Sequence, residues 1–347
     1  MKLSRLGEFG LIERIRRSTP TSRNVRLGIG DDAAWVRAKT KSFLVTTDLL
    51  LEGVHFNLSW TSLSDLGYKT LAVNLSDIAA MGGIPAYLTL SLGIPRHLGS
   101  TGLDSFYAGV RSLAMKHNVA VIGGDTSLAQ KLIISACVIG HTPFRPISRS
   151  GAKLGNDIYV SGTLGDSALA LQLLKSNSPT PKGAAYLLNR HHKPTPRLAV
   201  GAVLARRRLA TAMIDVSDGL LQDLGHICRA SLIGARIWEE TLPLSGAYRA
   251  VLGKNETRYA LAGGEDYELL FSARRRNREL INQLQHQLKV PLTRIGACVP
   301  ADQGIACLDR SGKPISLLMS GHDHFKKQRF DRMAKFDSSA TESHSRN

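Results

Sequence analysis

The chain has 347 residues, long enough for two domains with separate cores, and its 43% hydrophobic and 21% charged residues exclude a disordered or fibrous protein. The formal charge is +17, from 45 Lys and Arg against 28 Asp and Glu, which invites a polyanionic partner or anionic substrates without choosing between them. Residues Met1 to Gly10 lack the apolar core and cleavage site of a secretory signal, and no apolar run reaches the ~20 residues a spanning helix needs, so a cytoplasmic protein without a membrane partner is expected.

In chain order, Phe43 to Thr47 and Tyr87 to Leu92 read as strands. Between them a helical period runs from Asp65 to Met81, closed by Gly82-Gly83 and then Pro85. A helix over about Leu103 to His117 leads into a buried strand, Val119 to Ile122, followed by a strand at Leu132 to Ile139. The polar, Pro- and Ser-containing stretch Thr142 to Lys153 then marks a domain boundary. The second block opens with the strand Asp157 to Ser161 and helices at Asp166 to Lys175 and Thr195 to Leu209. A strand-to-helix unit at Ala212 to Ala230, a strand at Tyr267 to Ser272 and a helix at Asn277 to Leu288 complete it. Two α/β domains are therefore expected, over residues 1–145 and 146–325, with 326–347 a disordered tail because it is polar and lacks an apolar period.

Cys137, Cys228, Cys298 and Cys307 lie far apart, with no CxxC or histidine pattern, and read as reduced core thiols. Arg206-Arg207-Arg208 and Arg274-Arg275-Arg276 lack interleaved aromatics or glycines and read as solvated faces. Nucleic acid is not the expected partner, although a basic nucleic-acid-binding protein is the alternative from a different functional class.

In so basic a chain the placement of the acids is informative. GIGDDAA puts Asp31 and Asp32 after Gly28 and Gly30, and LVTTD puts Thr46, Thr47 and Asp48 at the end of an apolar strand. AVNLSDIAAMGG adds Asp77, VIGGDTS puts Asp125 after Gly123-Gly124, and IDVSDG adds Asp215, Ser217 and Asp218 at a strand-to-helix turn. Each alone has a structural explanation, since Asp beside Gly makes turns and Asp or Ser after a strand caps helices. Five such motifs in one chain point elsewhere, because strand ends of α/β domains converge on one edge where ligands bind. Carboxylates and hydroxyls without His or Cys make a hard-oxygen site suited to Mg²⁺, and Mg²⁺ leaves positions open for phosphate oxygens. No GxxxxGK[ST] and no GxGxxG in a βαβ context occurs, which excludes a P-loop enzyme and gives no support to a dinucleotide fold.

Read together, GIGDDAA, TTDLLLEGVHF, YKTLAVNLSDIAAMG, IGGDTS, RSGAKLGNDIYVSGTLGDSA, IDVSDGLLQDLGHI and LAGGEDYELLF resemble the thiamine-monophosphate kinase family over about Gly7 to Phe325. The wider superfamily with aminoimidazole ribonucleotide synthetase shares the general plan, while TTDLLLEGVHF and GGEDYELLF look like this kinase. The resemblance implies a homodimer whose N-terminal domains contribute strands to a shared barrel, a C-terminal α/β sandwich domain, and ATP between the domains. It implies several Mg²⁺ ions held by Asp32, Thr46, Thr47, Asp48, Asp77, Asp125, Asp215 and Asp218, ATP contacts from Gly124, Asp125, Arg149 and Ser217, and thiamine monophosphate contacts from His55 and Glu265. Asp266 is a second acid in the same turn, and the sequence leaves open which of the two faces the substrate. His322, in SGHDHF, stands where similar kinases carry a larger aromatic that packs on the substrate.

The reaction so implied is ATP-dependent phosphorylation of thiamine monophosphate to thiamine diphosphate by direct in-line transfer. No catalytic base and no phosphoenzyme are expected, because a phosphate monoester with its second pKa near 6 is already anionic at neutral pH. Another ATP-dependent synthetase of the same superfamily is the second enzyme reading.

Overall fold

A computed structural model describes residues 14–27, 35–36, 43–176, 181, 183–253 and 255–315. Asp31, Asp32, His322 and the 326–347 tail lie outside the described residues.

The first half is built on a four-stranded sheet with strands β3 (Phe43–Leu51), β4 (Ile84–Pro95), β5 (Ala120–Ala129) and β6 (Ile133–His141) in the order β3-β6-β4-β5. β6 is antiparallel to both neighbours, and β4 and β5 are parallel. A two-stranded ribbon, β1 (Val25–Leu27) with β2 (Trp35–Val36), precedes it. Helices α1 (Leu63–Ala80) and α2 (Ser100–Lys116) connect the strands and share a core with one sheet face, formed by Leu50, Leu88, Leu90, Ile134, Ala136 and Val138. The other face keeps large apolar side chains in the open: Val45 is 66% exposed, Leu49 52% and Phe43 50%.

The second half is a six-stranded sheet with strands β7 (Asp157–Ser161), β8 (Ala210–Asp215), β9 (Gly234–Trp238), β10 (Leu269–Ala273), β11 (Leu292–Val299) and β12 (Ile305–Leu308), ordered β12-β9-β11-β7-β10-β8. All its pairings are antiparallel except β12 with β9. Its helices are α3 (Asp166–Lys175), α4 (Ala184–His192), α5 (Leu198–Arg206), α6 (Leu220–Ser231), α7 (Gly246–Leu252), α8 (Arg258–Ala262) and α9 (Arg278–Leu288). Every residue of β7 and β10 is buried, with one face packed on α3, α4, α6 and α8 and the other on α5 and α9. A strand covered on both faces reads as a continuous apolar run, as DIYVS and LLFSA do.

α1 joins the halves. Ser62 caps it by accepting from Asp65 N at 3.1 Å, and Asp65 adds negative charge at the first turn. Nearly all its residues are buried: one side faces the first sheet, and Ala79 and Ala80 enter the core beneath the second. α5 comes so close that a Cβ on Gly201 would lie 2.0 Å from Ala79 O, so only glycine fits.

Several expectations shift. The strand expected to end at Ile122 runs on: Gly123 and Gly124 lie inside β5, which its parallel partner β4 sustains as far as Ala129. Gly124 has φ +157°, and a Cβ there would lie 1.9 Å from Leu90 O, so the residue answers first to strand packing. Asp48 sits within β3 rather than at its end. The long helix expected over 195–209 is only Leu198–Arg206, and α4 precedes it unannounced. Arg206–Arg208 and Arg274–Arg276 are exposed, as expected.

Candidate active site

Thr46 and Asp48 project from β3 toward α1, whose last turn carries Ser76 and Asp77, and Asp215 closes the group from the end of β8. Thr46 Oγ1 donates to Asp77 Oδ2 at 2.5 Å, and Ser76 Oγ donates to Asp215 Oδ2 at 2.7 Å. Beside them opens a cavity of about 340 Å³ lined by Thr46, Asp77, Arg149 and Asp215 with the apolar Leu44, Val45, Ile78, Met81, Met213 and Ile214. Two hydroxyls thus serve three carboxylates, and no lysine or arginine lies within 4.0 Å of any of the three among the described residues. Asp48 Oδ2 is buried with no hydrogen-bond partner at all.

Burial, then the charge of Asp77, pushes Asp48 up to about 6. Burial likewise raises Asp77, with Thr46 and Arg149 pulling back, and raises Asp215, reinforced by Asp77. Each carboxylate disfavours ionisation of the next, the condition a divalent cation relieves. Oxygen donors without sulfur or imidazole fit Mg²⁺, so the residues present suit the metal that the family resemblance implies.

The loop after β8 supplies Ser217 and Asp218. Its backbone is clamped by Asp223 from the first turn of α6, whose Oδ2 accepts from the N–H groups of Ser217, Asp218 and Gly219, each at 3.1 Å. Asp218, Asp223 and His226 offer ligand atoms within 4.8 Å of one another, but Asp223 is already occupied with the loop. IDVSDGLLQD contained this clamp; an acid four residues after the glycine, in the first helical turn, was its signal.

Thr47 and Asp125 are not brought to the cluster. In the ladder Asp125 faces Ser91, which faces Ser135, which faces Leu49, so Asp125 shares the open face of the sheet with Thr47 and Leu49. Thr46 and Asp48 stand on the opposite face.

Some distance along α1 lies a differently built acid. Glu265 Oε1 meets Lys69 Nζ of α1 at 3.0 Å, and Oε2 lies 3.3 Å from Nδ1 of His191 in α4. Burial pushes Glu265 upward, but Lys69, His191 and His55 outweigh it and hold the carboxyl below its ordinary value. His55 accepts from Leu51 N through Nδ1 at 3.0 Å. The two acids of this turn have different surroundings. The Glu265 side chain is 28% exposed, whereas Asp266 is 1% exposed and accepts from Gly165 N and Ser167 N at the start of α3. Glu265 and Tyr267 both hold positive φ, +65° and +52°, strain of about 1–3 kcal/mol each.

Behind this turn Glu268, fully buried, receives Arg197 through Nε at 2.6 Å and Nη2 at 2.5 Å, Arg190 Nη2 at 2.8 Å and Ser161 Oγ at 2.6 Å. Sequence reading missed Lys69, Ser76, His191 and this arginine pair. A lysine on the buried face of a helix of small and apolar residues was the available signal for Lys69.

The fold and the cleft define an α/β protein with a cluster of acids beside a cavity, and residues 30–142 match the family described as AIR synthase related protein, N-terminal domain. Over 325 residues the chain is 44% identical to the thiamine-monophosphate kinase of Escherichia coli O157:H7, covering 92% of this chain and 98% of that one. The crystal structure of thiamine-monophosphate kinase from Stenotrophomonas maltophilia K279a matches with a TM-score of 0.79 at 41% identity, covering 89% of this chain and 98% of that one. The structure of AaThiL complexed with AMPPCP and TMP matches with a TM-score of 0.72 at 36% identity, covering 94% and 99%. The chain belongs to the thiamine-monophosphate kinase family.

Proposed function

We propose that the protein transfers the γ-phosphoryl group of ATP to the phosphate of thiamine monophosphate, releasing ADP and thiamine diphosphate. The observation that carries this reading is the group of half-buried Asp48 and Asp77 with buried Asp215 beside the cavity, a group with no lysine or arginine within 4.0 Å among the described residues. Kinship with thiamine-monophosphate kinases, and a relative's complex with AMPPCP and TMP, supply the substrates.

In the proposed reaction an anionic oxygen of the acceptor phosphate attacks the γ-phosphorus, and the bond from that phosphorus to the β,γ-bridging oxygen breaks, its electron pair leaving with ADP. Asp32, Thr46, Thr47, Asp48, Asp77, Asp125, Asp215 and Asp218 are the proposed ligands, and Mg²⁺ bound among them supplies charge neutralisation between two polyanions. Arg149, exposed at the cavity, offers a planar donor fork to a phosphate, and Gly124 and Ser217 are the further proposed ATP contacts. His55 and Glu265 are proposed to receive thiamine monophosphate, and His322 to stack on it. No side chain takes a proton from the acceptor, which ionises on its own near pH 6. Positioning and charge neutralisation then account for the rate.

The exposed apolar face of the first sheet favours the proposed homodimer, because closing strands over it removes Val45, Leu49 and Phe43 from water. Asp125 and Thr47 lie on that same face, so they join the site only when the face is covered. The proposed division is a dimerising domain over 1–145 and an α/β domain over 146–325. No helix among the described residues is long and apolar enough to cross a membrane, and the proposed place of action is the cytoplasm.

The test is chromatography of the products formed by purified protein with ATP, Mg²⁺ and thiamine monophosphate. Thiamine diphosphate is expected in step with ADP; ADP without it would point to another reaction of the superfamily.

A further inference from the structure

Lys69 sits where lysines are rarely found, within a buried stretch of α1, and its side chain is 5% exposed. Among the described residues the one ion pair it makes is with Glu265, from the far half of the chain. His191, also 5% exposed, approaches the other carboxylate oxygen and keeps Ser167 Oγ at 2.9 Å on the same ring nitrogen. Burial and Lys69 push His191 down to about 3, so it stands beside the carboxylate as a neutral ring. The group that grips the carboxylate, Lys69, is buried, and the carboxylate is the member that reaches the surface. The main chain around it is fixed separately: Glu265 N donates to Ser217 O and Tyr267 N to Val216 O, both at 2.8 Å.

We infer that Lys69 is a positioning residue for acceptor selection: it holds Glu265 as a fixed anionic wall of the acceptor subsite, which favours phosphate acceptors that carry a positively charged organic group. The inference rests on the kinase reading above. A glutamate with two flexible methylenes and a free carboxylate would spread over several rotamers and turn to water. Anchored by Lys69 at Oε1, it meets a cationic ring without losing that freedom on binding, which is the advantage of a preformed site. Lys69 lies behind Glu265 and acts through it.

The same helix sets the distance to the phosphates. Lys69 and Ser76 are seven residues apart, nearly two turns, so they share a face about 10 Å apart along the axis. Lys69 holds Glu265 and Ser76 holds Asp215, both from the second half. One helix face thus fixes the spacing between the acceptor's cationic group and the acidic cluster where its phosphate must react.

The experiment compares Lys69→Met, Lys69→Arg, Glu265→Gln and the Lys69→Met/Glu265→Gln double variant. Lys69→Met is expected to raise KM for thiamine monophosphate about tenfold, a typical coupling between touching residues, with KM for ATP within about twofold. Lys69→Arg should recover most of the loss, and the double variant should be no worse than Glu265→Gln alone. KM values for both substrates moving together, or additive losses in the double variant, would overturn the inference. Should Lys69→Met fail to fold, Lys69→Gln keeps a hydrogen-bond donor and removes only the charge. If the wild-type protein makes no thiamine diphosphate, the kinase reading fails by itself. Ligand-free crystal structures then decide the positioning claim: Glu265 displaced when Lys69 is neutral and retained in Lys69→Arg supports it, and an unmoved Glu265 overturns it.

Discussion

Two sets of buried and half-buried acids in this molecule have opposite surroundings. Glu265 and Glu268 are met by Lys69, Arg190 and Arg197, so the protein supplies the countercharge. Asp48, Asp77 and Asp215 have one another, two hydroxyls and an orphaned oxygen. Burial acts on both sets, yet Glu265 ends below its ordinary pKa and the three aspartates above theirs. An acid whose partner belongs to the chain is held in place by it; an acid whose partner does not is a place kept for a cation from solution. The comparison separates acids fixed by the chain from acids that await a cation more sharply than burial or sequence motif does.

Removing charge should therefore have opposite consequences in the two sets. Glu268→Gln leaves two arginines facing a neutral amide in the interior, and stability should fall by about 3–5 kcal/mol in denaturant unfolding. Asp48→Asn keeps the shape and removes one of the like charges, so melting in metal-free buffer should occur at an unchanged or higher temperature. Its turnover should nevertheless drop by about 10²–10³-fold, the scale of a lost transition-state charge contact, and the residual activity should need more Mg²⁺. A melting temperature lowered as much as in Glu268→Gln, or turnover near wild type, would erase the distinction. A smaller effect on the folded chain is expected from Val45→Glu, which places a charge on the open sheet face and should change subunit stability by no more than about 0.5 kcal/mol. Sedimentation should show it as a monomer, and its activity should fall with Asp125→Asn, because Asp125 shares that face. A dimeric Val45→Glu would mean the subunits meet elsewhere.

How much of this was legible in the sequence follows the range of the interactions. α1 was legible because its apolar period and closing glycines are local, and β7 because its middle, Ile158 to Val160, is apolar without a break. The motif acids were legible as a group, and Thr46, Asp48, Asp77 and Asp215 do meet. Which face of the sheet each acid occupies was not. The GGD turn signal is local, whereas β4 imposes strand geometry on Gly123 and Gly124 from outside the window in which a turn is read. The Lys69–Glu265 pair was hidden for the same reason, since neither residue is unusual until the fold brings α1 against the turn before β10. α4 stayed hidden because histidines and arginine at its end mask a short apolar period.

The central claim is that this cleft moves a phosphoryl group from ATP to thiamine monophosphate with a cation among its unpaired acids. Following γ-³²P through a reaction with ATP, thiamine monophosphate and Mg²⁺, and through controls lacking each, tests it most directly. The label should appear in thiamine diphosphate only when all three are present, with none on denatured protein. Label on the protein, label released only as inorganic phosphate, or label in thiamine diphosphate after removal of divalent cations would contradict the account.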